Sequence, residues 1–320
     1  MKRENLKRNN IGIFILSYRR LRSLKEVIKK VKQYISQEDT LYIFADNINK
    51  KKNIKEQKEV IQVLKYLKMI KDKNIKIIFQ KSNIGLKKNW EFGYNFMFQK
   101  FKKVICLQDD DLIKKNFIEY MIYYLNKFEH NKKIMNITGF ATKIDLDPSY
   151  NFDSYFTKRS MSYSQASWIR VWKSYKKVNK NSLNIIKDKK KRKLLNNAGT
   201  DLLPLMTLEY FKLIDSIQIW WSWNIIRNKG LCLNPVTSLV ENKGFLDGKA
   251  THVYNNKFLQ NSYKGKKKIR LNNILYDKNI DLLFQSNYNS SFFSFIVFNF
   301  LPLSLIKYLN QIKFKLFRKC

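Results

Sequence analysis

Val-Ile-Cys-Leu-Gln-Asp-Asp-Asp, residues 104–111, is the stretch that decides the fold of this 320-residue chain. Its four apolar residues predict a buried strand, and three consecutive acids follow where that strand leaves its sheet. Adjacent carboxylates repel one another unless a cation lies between them. In a chain with a formal net charge of +38, the cluster therefore indicates a divalent metal site, and a solvated acidic turn is the alternative.

Short apolar runs alternate with longer amphipathic runs before this stretch. The predicted strands are Ile11–Leu16, Leu41–Ala45, Ile75–Phe79 and Val104–Leu107, and the predicted helices are Leu21–Tyr34, Ile54–Ile70 and Leu86–Phe101. Such alternation predicts an α/β fold with a mostly parallel sheet that is flanked by helices. Ligands of these sheets bind beyond the carboxyl ends of the strands, so the acidic cluster lies where chemistry is expected.

The other strand ends also carry polar residues. Ser17, Tyr18 and Arg19 follow the first predicted strand, Asp46 follows the second, and the turn Asn83–Gly85 follows the third. Together they outline a cleft with hydrogen-bond donors for a nucleotide and acids for a metal. Neither G-x-G-x-x-G nor G-x-x-x-x-G-K-[ST] occurs in the sequence, which argues against a Rossmann dehydrogenase or a P-loop enzyme.

The sequence beyond residue 130 is less regular. It predicts a strand at Ile134–Gly139, an aromatic-rich stretch over residues 150–175, and helices near Ser182–Leu195 and Leu205–Asn228. No internal repeat is evident in the sequence.

In these motifs the chain resembles the GT-A glycosyltransferases, and among them the inverting, family-2-like enzymes of bacterial capsule and lipopolysaccharide assembly. Ser17-Tyr18-Arg19 is similar to a Tyr-Asn-Arg segment, and Asn83-Ile84-Gly85 is similar to an Asn-Leu-Gly turn. Gln108-Asp109-Asp110 resembles the Glu-Asp-Asp form of the DXD motif, with Gln108 in place of the first acid. The resemblance implies metal ligation by Asp110 and donor contacts for Ser17, Tyr18, Arg19, Asp46, Asn83, Gly85 and Asp109.

The second half adds further motifs, and the resemblance runs over about residues 11–255. Ala166–Trp172 is similar to Trp-Ala-Thr-Trp-x-x-x-Trp, and Gly199–Met206 resembles Gly-x-Asp-Leu-x-Pro-Met. Residues 214–216, Ile-Asp-Ser, resemble the start of Ile-Asp-Ser-Trp, although isoleucine follows here in place of tryptophan. Ser238–Phe245 resembles Leu-Val-x-Asn-x-Gly-Phe, and Thr251-His252 resembles a closing Thr-His pair.

Transfer from a nucleotide sugar places negative charge on the leaving diphosphate, which Mn²⁺ or Mg²⁺ would neutralise. Asp110 is the expected ligand, with His252 as a further ligand or a phosphate donor; a structural histidine is the alternative. Inversion also requires a carboxylate that takes the proton of the acceptor hydroxyl. Asp215 is the first candidate, with an N-cap role as its alternative, and Asp201 is the second.

Charge and cysteine content limit the partners. The basic excess consists mainly of scattered lysines and indicates either solvated surface or attraction to a polyanion. No nucleic-acid-binding motif is present, so no specific nucleic-acid partner is expected. Cys106, Cys232 and Cys320 have neither paired nor metal-type spacing, which indicates a reducing compartment. From the basic, polar first residues we expect neither a signal peptide nor a membrane span at the N-terminus.

The C-terminal stretch combines apolar and basic residues. Residues 292–306 are too short and interrupted to span a bilayer, and residues 307–319 suit a segment in the interface of an anionic membrane. The alternative is a helix packed on the core. We therefore expect a peripheral protein on the inner face of the cytoplasmic membrane.

The predicted organisation is a GT-A (Rossmann-like) domain over residues 1–260, with a nucleotide-sugar half at 1–130 and an acceptor half at 131–260. A C-terminal amphipathic helical extension covers residues 261–320. The predicted function is a metal-dependent glycosyltransferase that moves a sugar from a nucleotide-sugar donor to a saccharide or glycolipid acceptor, with inversion. A sugar nucleotidyltransferase and a basic nucleic-acid-binding protein are the alternatives.

Overall fold

The structure is a computed structural model, and it describes residues 10–161, 163–214, 216–245 and 270–309. Its first part alternates strands and helices as the sequence predicts, and every boundary lies within one residue of its predicted position. The elements are β1 (Ile11–Ser17), α1 (Leu21–Tyr34), β2 (Leu41–Ala45), α2 (Ile54–Met69), β3 (Ile75–Phe79), α3 (Gly85–Lys100) and β4 (Lys103–Gln108).

The second part is built from shorter elements. They are β5 (Asp111–Ile113), α4 (Phe117–Lys127), β6 (Ile134–Thr138), β7 (Ser154–Thr157), β8 (Gln165–Trp168), α5 (Ile169–Lys176), α6 (Ser182–Ile186), α7 (Lys189–Asn196), α8 (Leu202–Tyr210), α9 (Ile217–Arg227), β9 (Leu231–Pro235), β10 (Val240–Asn242), a 3₁₀ turn (Lys243–Phe245), α10 (Lys278–Ser286) and α11 (Phe292–Phe300).

Each of the two long helices predicted in this part is instead a pair of helices. Asp188 separates α6 from α7, because its carboxylate accepts the backbone N–H groups of Lys190 and Lys191 and so begins a new helix. Lys212 lies between α8 and α9 with φ +58°, a left-handed conformation that ends α8. Hydrophobic spacing alone does not show these interruptions.

One eight-stranded sheet forms the centre of the molecule, in the order β3-β2-β1-β4-β8-β6-β9-β7. Strands β3, β2, β1 and β4 are parallel neighbours, and β6 is parallel to β9. Strand β8 runs antiparallel between β4 and β6, and β7 is antiparallel to β9. A small antiparallel pair, β5 with β10, lies beyond the end of β4. The predicted α/β fold with a mostly parallel sheet flanked by helices is confirmed.

The apolar residues that predicted the elements form the core. Strands β1 and β2 are buried along nearly their whole length, which explains their continuous apolar sequences. Helix α1 contributes Leu24, Val27, Ile28 and Val31 to the same core, and these residues recur at helical spacing.

The C-terminal part divides into two kinds of helix. Helix α10 buries Ile280 and Phe284 against Phe140 and Tyr155, so this portion packs on the main domain. Helix α11 leaves most of its large side chains exposed. Among the helices in the described residues, none has both the length and the apolar character needed to cross a bilayer. The predicted domain boundary near residue 260 lies outside the described residues.

Candidate active site

The carboxyl ends of β1, β2 and β4 meet at one edge of the sheet. The register aligns Leu16 with Gln108 and Ser17 with Ala45, so residues 17–20, 46–47 and 109–111 leave the sheet side by side. The backbone N–H of Tyr18 donates to Asp109 Oδ2 at 2.9 Å. This contact connects the end of β1 with the acidic cluster.

Asp109 and Asp110 are both buried, and Arg20 contacts both of them. Arg20 Nη1 lies 3.4 Å from Asp109 Oδ1 and 3.3 Å from Asp110 Oδ2. Burial raises the pKa of Asp109, and the Arg20 guanidinium opposes this rise. Burial raises the pKa of Asp110 to about 8; Arg20 again opposes the rise, while the neighbouring Asp109 and Asp111 add to it. The pair therefore gains from any further positive charge placed against it.

Asp111, unlike Asp109 and Asp110, has a structural role in the protein. Its carboxylate accepts the backbone N–H groups of Gln108 at 3.0 Å and Ser164 at 3.1 Å, and the side-chain amide of Asn242 at 3.2 Å. Burial raises its pKa to about 6, and these hydrogen bonds oppose the rise. Asp111 thus ties the turn after β4 to β10.

Asp110 has the features of a metal ligand. Its Oδ1 is buried and has no hydrogen-bond partner among the described residues. A β carbon added at Gly244 would lie 2.2 Å from Asp110 Oδ2, so the space beside this carboxylate exists only because residue 244 is glycine. Burying an unpartnered carboxylate oxygen is costly, and a divalent cation would satisfy it. The residues present therefore fit a metal held through Asp110.

No group of three or more His, Cys, Asp or Glu side chains is arranged to hold a metal within the described part of the chain. His252, the second predicted ligand, lies outside the described residues. A hard divalent cation accepts oxygen ligands from a bound diphosphate as well as from protein. Asp110 with such a diphosphate would therefore supply the first ligands.

Asp46 holds the turn that follows β3. Its Oδ1 accepts the backbone N–H groups of Asn47 at 2.8 Å and Ile84 at 2.9 Å, and its Oδ2 accepts from Asn83 Nδ2 at 3.0 Å and Gly85 N at 2.9 Å. Four donors fill the accepting capacity of one carboxylate. Gly85 has φ +78°, which favours glycine there. Asp46, Asn83 and Gly85, which are predicted to contact the nucleotide-sugar donor, thus come together. A contact between Asp46 and the nucleotide base would replace one of these four hydrogen bonds.

Tyr18 and Arg19 point toward α2. The Tyr18 hydroxyl donates to Glu56 Oε1 at 3.2 Å, and Arg19 Nη1 lies 3.2 Å from Glu56 Oε2. Burial and Glu56 raise the pKa of Tyr18 to about 12. Ser17 Oγ is buried with no hydrogen-bond partner in the described part of the chain. Ser17, Tyr18 and Arg19 are all predicted to contact the nucleotide-sugar donor, and Ser17 offers an unpartnered hydroxyl for such a contact.

Only one of the two candidate bases lies within the described residues. Asp201 precedes α8 and pairs with Arg159, whose Nη1 and Nη2 lie 2.6 Å and 3.3 Å from its two carboxylate oxygens. The Asp201 backbone N–H also donates to the carbonyl of Tyr288, which joins α8 to the C-terminal part. Asp215 lies outside the described residues; the next residue, Ser216, is the N-cap of α9.

Three residues at the site were not singled out in the sequence: Arg20, Asn242 and Gly244. Arg20 stands beside Arg19, and the sequence alone does not show which arginine faces the acids. Asn242 and Gly244 lie within the Asn-x-Gly-Phe motif, a resemblance that assigns no role to either residue. That motif is the sequence feature from which a role for Asn242 and Gly244 at the site could have been predicted.

Comparison with known proteins gives distant structural similarities only. No protein-family model matches the chain, and no curated protein matches it. The solved structures that match include GalNAc-T7 with UDP, GalNAc and Mn²⁺, at 10% identity and TM-score 0.47, over 72% of this chain and 43% of that one.

Two further structures match about half of the chain. Mannosyltransferase PcManGT from Pyrobaculum calidifontis, with GDP-Man and Mn²⁺, is 7% identical at TM-score 0.36, over 51% of this chain and 46% of that one. S. aureus TarS 1-349, with UDP-GlcNAc, is 14% identical at TM-score 0.36, over 52% and 47%. This chain spans less than half the length of each of the three proteins. TM-scores this low do not establish a shared function, so the chemistry must follow from the residues of this chain.

Proposed function

We propose that this chain is a metal-dependent glycosyltransferase of the GT-A type. It transfers a sugar, with inversion, from a nucleotide-sugar donor to a saccharide or glycolipid acceptor in surface-glycan assembly. The observation that carries the proposal is the buried Asp109–Asp110 pair at the carboxyl end of β4, with an unpartnered Asp110 Oδ1 beside Gly244. The ordered sequence motifs at the neighbouring strand ends support the same assignment.

The donor side is assembled from three strand ends. Asp110, together with His252 in the proposed set, would hold Mn²⁺ or Mg²⁺, which supplies Lewis-acid stabilisation of the leaving diphosphate. Ser17 Oγ, as an unpartnered donor, suits a phosphate or ribose oxygen. Asp46 keeps the Asn83–Gly85 turn in place, and Asp109 fixes the backbone at Tyr18. Tyr18 and Arg19 complete the proposed donor set, with Glu56 restraining both side chains.

Arg20 balances the two acids when no metal is bound. Its guanidinium contacts both Asp109 and Asp110, so it reduces their mutual repulsion in the free protein. Asp110 would hold the cation, which would supply Lewis-acid stabilisation, and the Arg20 guanidinium beside it would suit a phosphate oxygen.

Asp215 is the proposed general base. Its support is its motif and its position directly before Ser216, the N-cap of α9. Asp201 remains the second candidate, although both of its carboxylate oxygens are engaged by Arg159. Single replacements by asparagine distinguish the two candidates. Replacing the general base should abolish sugar transfer and leave binding of the nucleoside diphosphate unchanged.

The test of the reaction uses Asp110→Asn. We expect the unmodified protein to release a nucleoside diphosphate from a nucleotide sugar when Mn²⁺ or Mg²⁺ is present, and not when EDTA is added. Asp110→Asn should lower that rate roughly 100-fold or more. The exposed residue Asp147 provides a matched acid control, because Asp147→Asn should leave the rate unchanged.

Two results would contradict the proposal. Pyrophosphate release from a nucleoside triphosphate and a sugar phosphate would indicate a sugar nucleotidyltransferase. Salt-dependent binding of DNA or RNA without turnover of any nucleotide sugar would indicate a nucleic-acid-binding protein.

We also propose that the protein acts peripherally at the inner face of the cytoplasmic membrane. The free, buried thiols of Cys106 and Cys232 agree with a reducing compartment. The basic and apolar C-terminal sequence supports attachment to an anionic lipid surface.

A further inference from the structure

Helix α11 presents phenylalanine side chains to solvent. Phe292, Phe293 and Phe300 are 80%, 75% and 74% exposed, and Ile296 is 37% exposed. Residues 292, 296 and 300 follow one another at a spacing of four, which places them along one face of the helix. Contiguous exposed apolar surface of this kind marks a docking site rather than ordinary protein surface.

A strongly basic helix borders this face. Helix α7 begins with five consecutive cations, residues 189–193, read Lys-Lys-Lys-Arg-Lys. Arg192 Nη1 donates to the Asn299 carbonyl at 3.0 Å, and Asn196 Nδ2 donates to Asn299 Oδ1 at 3.1 Å. Asn299 lies next to the exposed stripe of α11, because it is three residues from Ile296 and adjacent to Phe300.

Three of the five cations of α7 are exposed. Lys189, Lys190 and Lys193 are all solvent-accessible, while Arg192 and Asn196 occupy the side in contact with α11. The exposed lysines of α7 and the exposed apolar residues of α11 therefore belong to two helices that contact each other. We call the surface formed by Lys189, Lys190, Lys193, Phe292, Phe293, Ile296 and Phe300 the α7–α11 face.

We propose that the α7–α11 face docks on an anionic lipid bilayer, with the phenylalanines in the interface and the lysines against the head groups. The inference rests on the membrane location proposed above and assigns residues to it. Large apolar side chains next to a basic cluster are the chemistry that binds such a surface. With nine residues, α11 is too short to span a bilayer, so it lies in the plane of the interface.

Charge also distinguishes this occupant from a second copy of the chain. A symmetric dimer through the same face would bring two sets of α7 lysines together, and like charges oppose that association. An anionic lipid surface has the complementary charge.

The experiment measures sedimentation of the full chain with vesicles. We expect binding to vesicles of phosphatidylcholine mixed with phosphatidylglycerol, and little binding to phosphatidylcholine alone. The variant Phe292→Ser/Phe293→Ser/Phe300→Ser should lose at least about tenfold in partition, because most of the apolar contact is removed. These side chains are exposed, so the variant should keep its circular dichroism and its melting temperature.

A matched control changes exposed apolar residues elsewhere. Ile54 and Met69 of α2 are 71% and 76% exposed, and Ile54→Ser/Met69→Ser should bind vesicles as the unmodified protein does. If the phenylalanine variant also binds unchanged, another surface is responsible and the proposal is overturned. The same holds if the unmodified chain sediments with neither kind of vesicle.

A charge variant tests the basic half of the face. Lys190→Gln/Lys193→Gln should reduce partition onto anionic vesicles by about tenfold and remove most of its dependence on salt. Lys51→Gln/Lys52→Gln, at exposed positions before α2, is the charge-matched control. Equal losses in both variants would show a nonspecific charge effect and would overturn the assignment to this face.

Two further measurements keep the conclusions separate. Loss of a dimer in the phenylalanine variant, measured by light scattering without lipid, would assign the face to self-association and overturn the proposal. Hydrolysis of nucleotide sugars without vesicles should be equal in all four variants. If the protein hydrolyses nucleotide sugars but does not bind vesicles, only the proposed docking surface is refuted. If it binds vesicles but does not hydrolyse nucleotide sugars, only the proposed reaction is refuted.

Discussion

Gly244 and Asp110 approach so closely that a β carbon at residue 244 would lie 2.2 Å from Asp110 Oδ2. The same β carbon would lie 3.1 Å from Asn242 Oδ1 and 3.2 Å from Arg20 Nη2. Its neighbours are therefore the groups that set the position and charge of the acidic pair. A single methyl group at residue 244 probes the candidate metal site directly.

We predict that Gly244→Ala weakens Mn²⁺ binding, because Asp110 must rotate away from the position that leaves Oδ1 available. Mn²⁺ affinity in the presence of a nucleoside diphosphate should fall by about tenfold or more, measured by calorimetry. Gly230→Ala is the matched control: its β carbon would lie 2.3 Å from Met135 Sδ, remote from the acids. That variant should lose stability and keep its Mn²⁺ affinity. Equal Mn²⁺ affinity in both variants would contradict the assigned metal position.

Arg20 should matter more for stability than Arg19. Arg20→Met leaves Asp109 and Asp110 buried without their cation, which we expect to cost on the order of 3 kcal/mol in the metal-free protein. Arg19→Met breaks a more exposed pair with Glu56 and should cost at most about 1 kcal/mol. Chemical denaturation measures both free energies of unfolding.

Added Mn²⁺ and nucleoside diphosphate provide the second half of this test. They should restore part of the stability of Arg20→Met, since a bound cation replaces the missing positive charge. They should stabilise Arg19→Met no more than the unmodified protein. If Arg20→Met gains nothing from the metal, the acids do not form its site.

The first half of the fold follows from local sequence because apolar periodicity there matches one element at a time. Strands β1 and β2 are continuous apolar runs, and α1 has its apolar residues at helical spacing. The later helices were less predictable. Asp188 and Lys212 interrupt them through a side-chain cap and a left-handed residue, and neither changes the hydrophobic pattern.

The candidate site was predictable at its acids and not at the groups that surround them. The acidic cluster is predictable because three acids follow an apolar strand, and the resemblance to the DXD motif singles out Asp110 within it. The contact of Arg20 with that carboxylate depends on how the chain turns between β1 and α1, and the approach of Gly244 joins residues that are far apart in sequence. The resemblance predicts that Asp46 contacts the nucleotide-sugar donor. Its four hydrogen bonds to the protein could not be predicted, because they depend on how the loops after β2 and β3 meet in the fold.

The buried thiols should be unreactive in the folded protein. Burial raises the pKa of Cys106 well above its usual value and that of Cys232 to about 12, so neither forms a thiolate near neutral pH. In a Cys320→Ser background we predict no reaction with a disulfide reagent at pH 8 until denaturant is added. Both thiols should then react. Reaction of either thiol before unfolding would contradict the burial of β4 or β9.

Asp281 should give α10 a measurable pH dependence. It is buried, and its carboxylate accepts from the Tyr276 hydroxyl at 2.8 Å, Gln285 Nε2 at 3.0 Å and the Lys158 backbone N–H at 3.2 Å. Burial raises its pKa, and these hydrogen bonds only partly oppose that rise. The folded protein therefore binds this proton more tightly than the unfolded chain does.

The sign of the effect follows from linkage. The contribution of Asp281 to stability is fully present below the unfolded pKa, near 3.8, and is lost as the pH rises through the higher folded pKa. Asp281→Asn cannot ionise, so its free energy of unfolding relative to the unmodified protein should increase as the pH rises above about 4. Urea denaturation at several pH values measures this difference. Asp147→Asn should change in the opposite direction, mainly below about pH 4, because hydrogen bonds from Ser149 lower the pKa of Asp147 from 3.8. A relative stability of Asp281→Asn that falls with rising pH would mean that the hydrogen bonds from Tyr276, Gln285 and Lys158 outweigh the cost of burying the charge.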